Sequence, residues 1–336
     1  MSVRESSDPF QEEPEAPAEV NRGVIEAQWK RDHDSRAPRG KSERRMLFAA
    51  SGFMRSVHAL QRAYALASRW HGTLYVLHVA GHGAQPRRPG EHLPATEHAI
   101  AQAALRGVRR FCDRGLAGVL PRDHMLVKQG EFSAVVAQTA RELDADLVVI
   151  PGAERQKGTA VAQIAREARV PVLVARKSIG GGIVAATDLG DPGCDELRQA
   201  AALASQVPGK LAFVHNVKPI VHAATTSVGH CMCTLIEPSA QALQECKQRL
   251  QGLAAFFGVC ADALVVSRPS AEDAILEVAR DEGADLVVVG ARRQRWIERL
   301  FGTALAARIV DRCERSVLVA PLCPHGAIGG ERLLYH

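Results

Sequence analysis

The sequence predicts an α/β protein made of two tandem doubly wound domains, each with a five-stranded parallel sheet. Three observations predict it. Continuous apolar runs recur at 147–150, 172–175, 286–289 and 317–320, the pattern of strands buried on both faces. Longer stretches with helical periodicity separate these runs. The second half of the chain also repeats the first.

The repeat is clearest around its fourth strand. From Asp146 the chain reads DLVVIPGAERQKGTAVAQIAREARVPVLVA, and from Asp285 it reads DLVVVGARRQRWIERLFGTALAARIVDRCERSVLVA. Each is strand, glycine loop, Gly-Thr-Ala, helix, strand. Upstream, ARELDADL at 140–147 parallels ARDEGADL at 279–286, and ALASRWHGTLYVLHV at 65–79 parallels ALASQVPGKLAFVHNV at 202–217. RRMLFAASG at 44–52 parallels GGIVAATDLG at 181–190. The first strands are expected at 46–50 and 183–187, the second at 74–79 and 211–217, and the third at 125–128 and 263–267. Domain one therefore covers 44–177 and domain two 181–321, joined by the glycines 180–182, a hinge or spacer rather than a phosphate loop because it opens no helix. Residues 1–43 are expected to form a disordered tail, with a short helical stretch at 19–30 where Val20, Ile25 and Trp29 share a face. Residues 322–336 form a C-terminal tail.

Composition limits the function. A net charge of +5 with basic and acidic residues interspersed offers no polycationic surface for nucleic acid. The eight cysteines follow neither a disulfide framework nor a paired CxxC zinc pattern, so reduced thiols are expected. No signal peptide is read at the amino end, and no apolar run reaches the roughly 18 residues that span a bilayer. A cytoplasmic protein with no membrane insertion is the expectation.

In a doubly wound sheet, ligands bind beyond the carboxyl ends of the strands where strand order reverses. The residues there are VAATDLG after the first strand of repeat two, FVHNVKP after the second, and the loop from Gly290 to Gly302-Thr303 after the fourth. These segments, in both repeats, resemble the universal stress protein family, a group within the HUP fold, and the resemblance covers nearly all of the chain outside the amino-terminal tail. It implies an adenine nucleotide such as ATP, held at the base and ribose by Asp188, at the base by the backbone of Val217, and at the phosphates by Gly290, Gly302 and Thr303. A helix amino terminus there offers amides and a favourable dipole to an anion. The family loop has the form G-x2-G-x9-G-(S/T). Here Arg293 replaces its second glycine and eight residues separate Arg293 from Gly302. Arginines 292, 293, 295 and 299 would then supply charged hydrogen bonds in place of backbone amides; the alternative is a solvated basic loop whose Trp296, Ile297, Leu300 and Phe301 pack on the neighbouring domain. In repeat one Ser51 stands at the Asp position and only AERQK separates Gly152 from Gly158, so that half is expected to be structural.

Other constellations carry less. His222, His230, Cys231 and Cys233 lie close together in what reads as an irregular connection after the second strand of repeat two. They are candidate zinc ligands without a finger spacing; incidental surface residues are the alternative. His78 and His215 end equivalent strands in both halves and are expected to pack or hydrogen-bond. The acidic residues 142, 144 and 146 and 281, 282 and 285 lie at the amino edge of the sheet and read as solvated turn charges. Ser133 and Ser270 read as helix caps. No catalytic nucleophile stands at a strand-to-helix elbow.

The resemblance implies a stress-response regulatory protein, non-catalytic or at most weakly ATP-hydrolysing, that senses nucleotide occupancy and shows a changed surface to a protein partner. A nucleotide-free dimerisation scaffold and a metal-responsive module are the alternatives. Family domains pair through their last strands, so VPVLVAR and SVLVAPL are expected to meet inside the chain, and tandem chains to form a homodimer.

Overall fold

The computed structural model describes residues 44–51, 57–80, 94–152, 158–176, 181–190, 194–205, 209–225, 231–291 and 305–321. The readings for the tails at 1–43 and 322–336, and for 177–180 with the first glycine of the hinge, fall outside these residues. The first repeat runs β1 (Arg45–Ala50), α1 (Val57–Arg69), β2 (Thr73–Ala80), α2 (Pro94–Leu116), β3 (Met125–Gln129), α3 (Phe132–Glu142), β4 (Leu147–Pro151), α4 (Gly158–Ala168) and β5 (Val172–Ala175). The second runs β6 (Gly182–Ala186), α5 (Asp195–Ala204), β7 (Lys210–Asn216), β8 (Ile220–Thr225), β9 (Cys231–Ile236), α6 (Ala240–Phe256), β10 (Asp262–Val266), α7 (Ala271–Asp281), β11 (Leu286–Gly290), α8 (Leu305–Arg312) and β12 (Ser316–Ala320).

Ten strands form one sheet in the order β10-β7-β6-β11-β12-β5-β4-β1-β2-β3. Each repeat contributes its strands in the order 3-2-1-4-5, all parallel, so strand order reverses beside the first strand of each half. The halves join where β12 meets β5 antiparallel, with Val317, Leu318 and Val319 opposite Val174, Leu173 and Val172. The expected meeting of the fifth strands thus occurs within the chain.

Alternation along each strand feeds two cores. Met46, Phe48 and Ala50 join Leu60, Phe111, Leu197, Phe213 and Leu250 under α1, α2, α5 and α6. Leu47 and Ala49 join Val136, Ile164, Ile275, Val287 and Ile309 under α3, α4, α7 and α8. Burial on both faces is why these strands read as unbroken apolar runs, each large side chain contributing about 1.5–3 kcal/mol.

The turn carboxylates do more than face water. Asp146 Oδ2 accepts from Arg45 N and Asp285 Oδ2 from Gly181 N, both at 2.8 Å, so each repeat uses the same Asp to fix the entry to its first strand. Ser270 caps α7 as expected, accepting from Asp273 N at 3.2 Å. Ser133 does not cap α3. Glu131 does, accepting from Ser133 N at 3.0 Å and Ala134 N at 2.7 Å, because a longer side chain reaches both amides and favours the positive end of the helix dipole.

The segment carrying His222, Cys231 and Cys233 is an ordered antiparallel ribbon rather than an irregular connection, with Ile220 opposite Ile236 and Thr225 opposite Cys231.

Candidate functional site

The carboxyl ends of β7, β6 and β11 lie side by side, with Ala186 opposite Val214 and Ala185 opposite Val288. This brings Asp188, Val217 and Gly290 to one edge on three adjacent strands. Arg293, Gly302 and Thr303 fall outside the described residues.

The turn after β6 is held from several sides. Asp188 is exposed, and its Oδ1 accepts from Gly190 N at 2.8 Å. Thr187 Oγ1 accepts from Leu189 N at 3.1 Å. Leu189 takes a left-handed φ of 56°, a strained conformation for a branched side chain, and its carbonyl accepts from Arg249 Nη2 of α6 at 3.1 Å. Short side-chain bonds to the following backbone are what Thr and Asp do in turns. The carboxylate thus stands on a fixed turn at the point of strand reversal.

His215 Nδ1 donates to Thr187 C=O at 2.9 Å, tying the end of β7 to the same turn, in line with the hydrogen-bonding role expected of it. Asn216 also has structural work. Its Nδ2 donates to Arg268 C=O and its Oδ1 accepts from Arg268 N, both at 3.0 Å. Val217 N donates to Val266 C=O at 2.9 Å. Arg268 is itself held by Glu277 at 2.8 and 2.9 Å, and these contacts raise its pKa. Arg249 and Arg268 belong to the wall of this edge, yet lie far from it in sequence; neither stands in a motif that would have marked it.

The first turn of α5 opens beside the same edge with Asp195 and Glu196, both buried. Carboxylates there satisfy the positive end of the helix dipole from within the chain, which disfavours α5 as an anion site.

In repeat one the corresponding helix start is taken up by the chain itself. Gly158 begins α4, and its amide donates to Asp311 Oδ1 of α8 at 2.7 Å. A Cβ at Gly158 would lie 2.0 Å from Ala307 C=O. The glycine that resembles a phosphate-loop residue therefore serves the crossing of α4 and α8, and a carboxylate of repeat two already takes its amide. Arg176 flanks the same junction, donating through Nη2 to Val310 C=O at 2.7 Å and through N to Ser316 Oγ at 3.1 Å; burial lowers its pKa.

Within β8 and β9, His222 pairs with Thr234 and Cys233 with Ala223. His230 lies outside the described residues.

A family model described as the universal stress protein family matches residues 43–176 and again 182–321. A curated relative, universal stress protein A homolog 2 of Coxiella burnetii, is 25% identical over 115 residues, covering 34% of this chain and 77% of that protein. The crystal structure of a universal stress protein from Archaeoglobus fulgidus superposes with a TM-score of 0.56 at 13% identity, covering 82% of this chain and 96% of that one. A putative universal stress protein from Pseudomonas aeruginosa gives 0.52 at 19% identity, covering 83% and 94%. These structural likenesses speak to the fold.

Proposed function

Because the chain belongs to the universal stress protein family and carries two of its domains in tandem, we propose that it is a regulatory protein whose second repeat binds ATP or a related adenine nucleotide. The observation that carries this reading is Asp188, exposed on a braced turn at the strand reversal beside Val217 and Gly290. In the proposed complex Asp188 accepts from the ribose or base, the backbone at Val217 reads the base, and Gly290, Arg293, Gly302 and Thr303 take the phosphates. Oriented amides and guanidinium groups give such an anion charge-assisted hydrogen bonds. Occupancy orders the arginine-rich loop and changes the surface offered to a protein partner. The proposed setting is the cytoplasm. A homodimer of tandem chains would need a surface other than the fifth strands, since β5 and β12 already pair with each other.

A nucleotide-free scaffold is the second reading, favoured by the closure of Gly158 against Asp311. Mass spectrometry of ligand released from freshly purified protein separates the two. Adenine nucleotide is the expected product, present in wild type and depleted in Asp188→Ala; its absence from both would favour the scaffold.

A further inference from the structure

β10 is the outermost strand at the repeat-two end of the sheet, and among the described residues β7 is its one ladder partner. Val266 C=O accepts from Val217 N at 2.9 Å. In a parallel ladder the N–H and C=O of one residue point to the same side and successive residues alternate. Ala263 and Val265 therefore direct theirs away from β7, toward the open edge. A groove of about 450 Å³ follows that edge. Its floor is residues 263–266, one wall is α6 with Leu243 and Lys247, and the other is Val278, Asp281 and Glu282 at the end of α7.

The other end of the sheet shows what a guarded edge looks like. There β3, the equivalent strand of repeat one, carries Lys128 in an ion pair with Glu142. MLVKQ at 125–129 corresponds to ALVVS at 263–267, so Val266 stands where Lys128 stands. Residues 263–266 are only partly buried. A charge on an edge strand deters further pairing, and an apolar edge without one is a template for another strand.

The groove also has a polarity. Asp281 and Glu282 sit at the carboxyl end of α7, where the helix dipole adds negative potential, and Asp262 is exposed at the start of β10. One end is therefore acidic and the floor apolar. We propose that the β10 edge binds a short extended apolar segment of a partner protein by strand addition, with a Lys or Arg of that segment at the Asp281–Glu282 end. Main-chain bonds to Ala263 and Val265 hold the segment, and alternate side chains choose it. Four residues span about 13 Å, so the recognised core is short.

The test is fluorescence anisotropy of the full chain with a labelled peptide of alternating valine and threonine preceded by two lysines, and with the same peptide preceded by two glutamates. The lysine peptide is expected to bind about tenfold tighter than the glutamate peptide. Val265→Pro removes an outward N–H and leaves the β7 ladder intact; it is expected to weaken the lysine peptide by at least about tenfold with an unchanged thermal midpoint. The double variant Asp281→Lys, Glu282→Lys is expected to reverse the preference between peptides, and carries the test alone should the proline variant fail to fold. Equal binding of both peptides, or binding indifferent to these substitutions, overturns the proposal. So does self-association of the unliganded chain that Val265→Pro abolishes, which would give the edge to a second copy.

Discussion

Gly158 and Asp311 show how a family motif changes use at a single position. The missing Cβ lets α4 approach Ala307, and the amide that would face an anion faces a carboxylate of the same chain. Gly158→Ala is expected to force the helices apart and destabilise the protein by about 1–3 kcal/mol, read by urea denaturation; a neutral result would show that the crossing is loose. Glu131 gives a pH signature. The Ser133 hydroxyl, and then the Ala134 and Ser133 amides, hold its carboxyl below the ordinary value of 4.5, against the opposing effect of burial. A folded pKa below the unfolded one means that its stabilisation is present above pH 4.5 and fades as pH falls through the folded value. Glu131→Gln should lose about 1 kcal/mol at neutral pH and flatten that part of the acid unfolding limb. Motif spacing showed Gly158 to be special, yet could not show that Asp311, 153 residues away in sequence, takes its amide.

Among the elements, the β5–β12 seam and the helices over it make the junction between repeats. Arg176 crosses this seam to the carbonyl of Val310 in the last turn of α8 and to that of Arg315 beyond it, where a cation also meets the negative end of the helix dipole. Arg176→Met keeps much of the side-chain volume and strands those carbonyls, so a loss of about 1.5–3 kcal/mol is expected by chemical denaturation. Within repeat two, Glu272 holds α8 in its place beside the seam: buried at the start of α7, it binds Arg308 at 2.8 Å and Arg312 at 2.7 Å on α8. The strands were readable because burial on both faces leaves apolar runs that no surface helix shows. The β8–β9 ribbon was not: Ile220 at its start and Ile236 at its end are 67% and 48% exposed, and apolar residues that face water do not mark a core-facing strand. Caps fell in between: Ser270 follows the common pattern, whereas Glu131 in place of Ser133 depends on side-chain reach.

At the scale of the molecule, one fold has been used twice and specialised by its edges. Both repeats keep the 3-2-1-4-5 order and the Asp that fixes the first strand. They differ at the carboxyl edge, where repeat one presents Ser51 and closes Gly158 against repeat two, and repeat two presents Asp188. They differ again at the outer strands, where Lys128 guards β3 and Val266 leaves β10 apolar. Internal repetition and strand periodicity carried the architecture in the sequence. The bracing of Asp188 by Thr187, His215 and Arg249 comes from contacts between distant segments, and only the folded chain brings them together. Isothermal titration of the full chain with ATP tests the central claim most directly. The account predicts one nucleotide per chain, lost in Asp188→Ala and retained in Ser51→Ala; two per chain, none at millimolar ATP, or indifference to Asp188→Ala would contradict it.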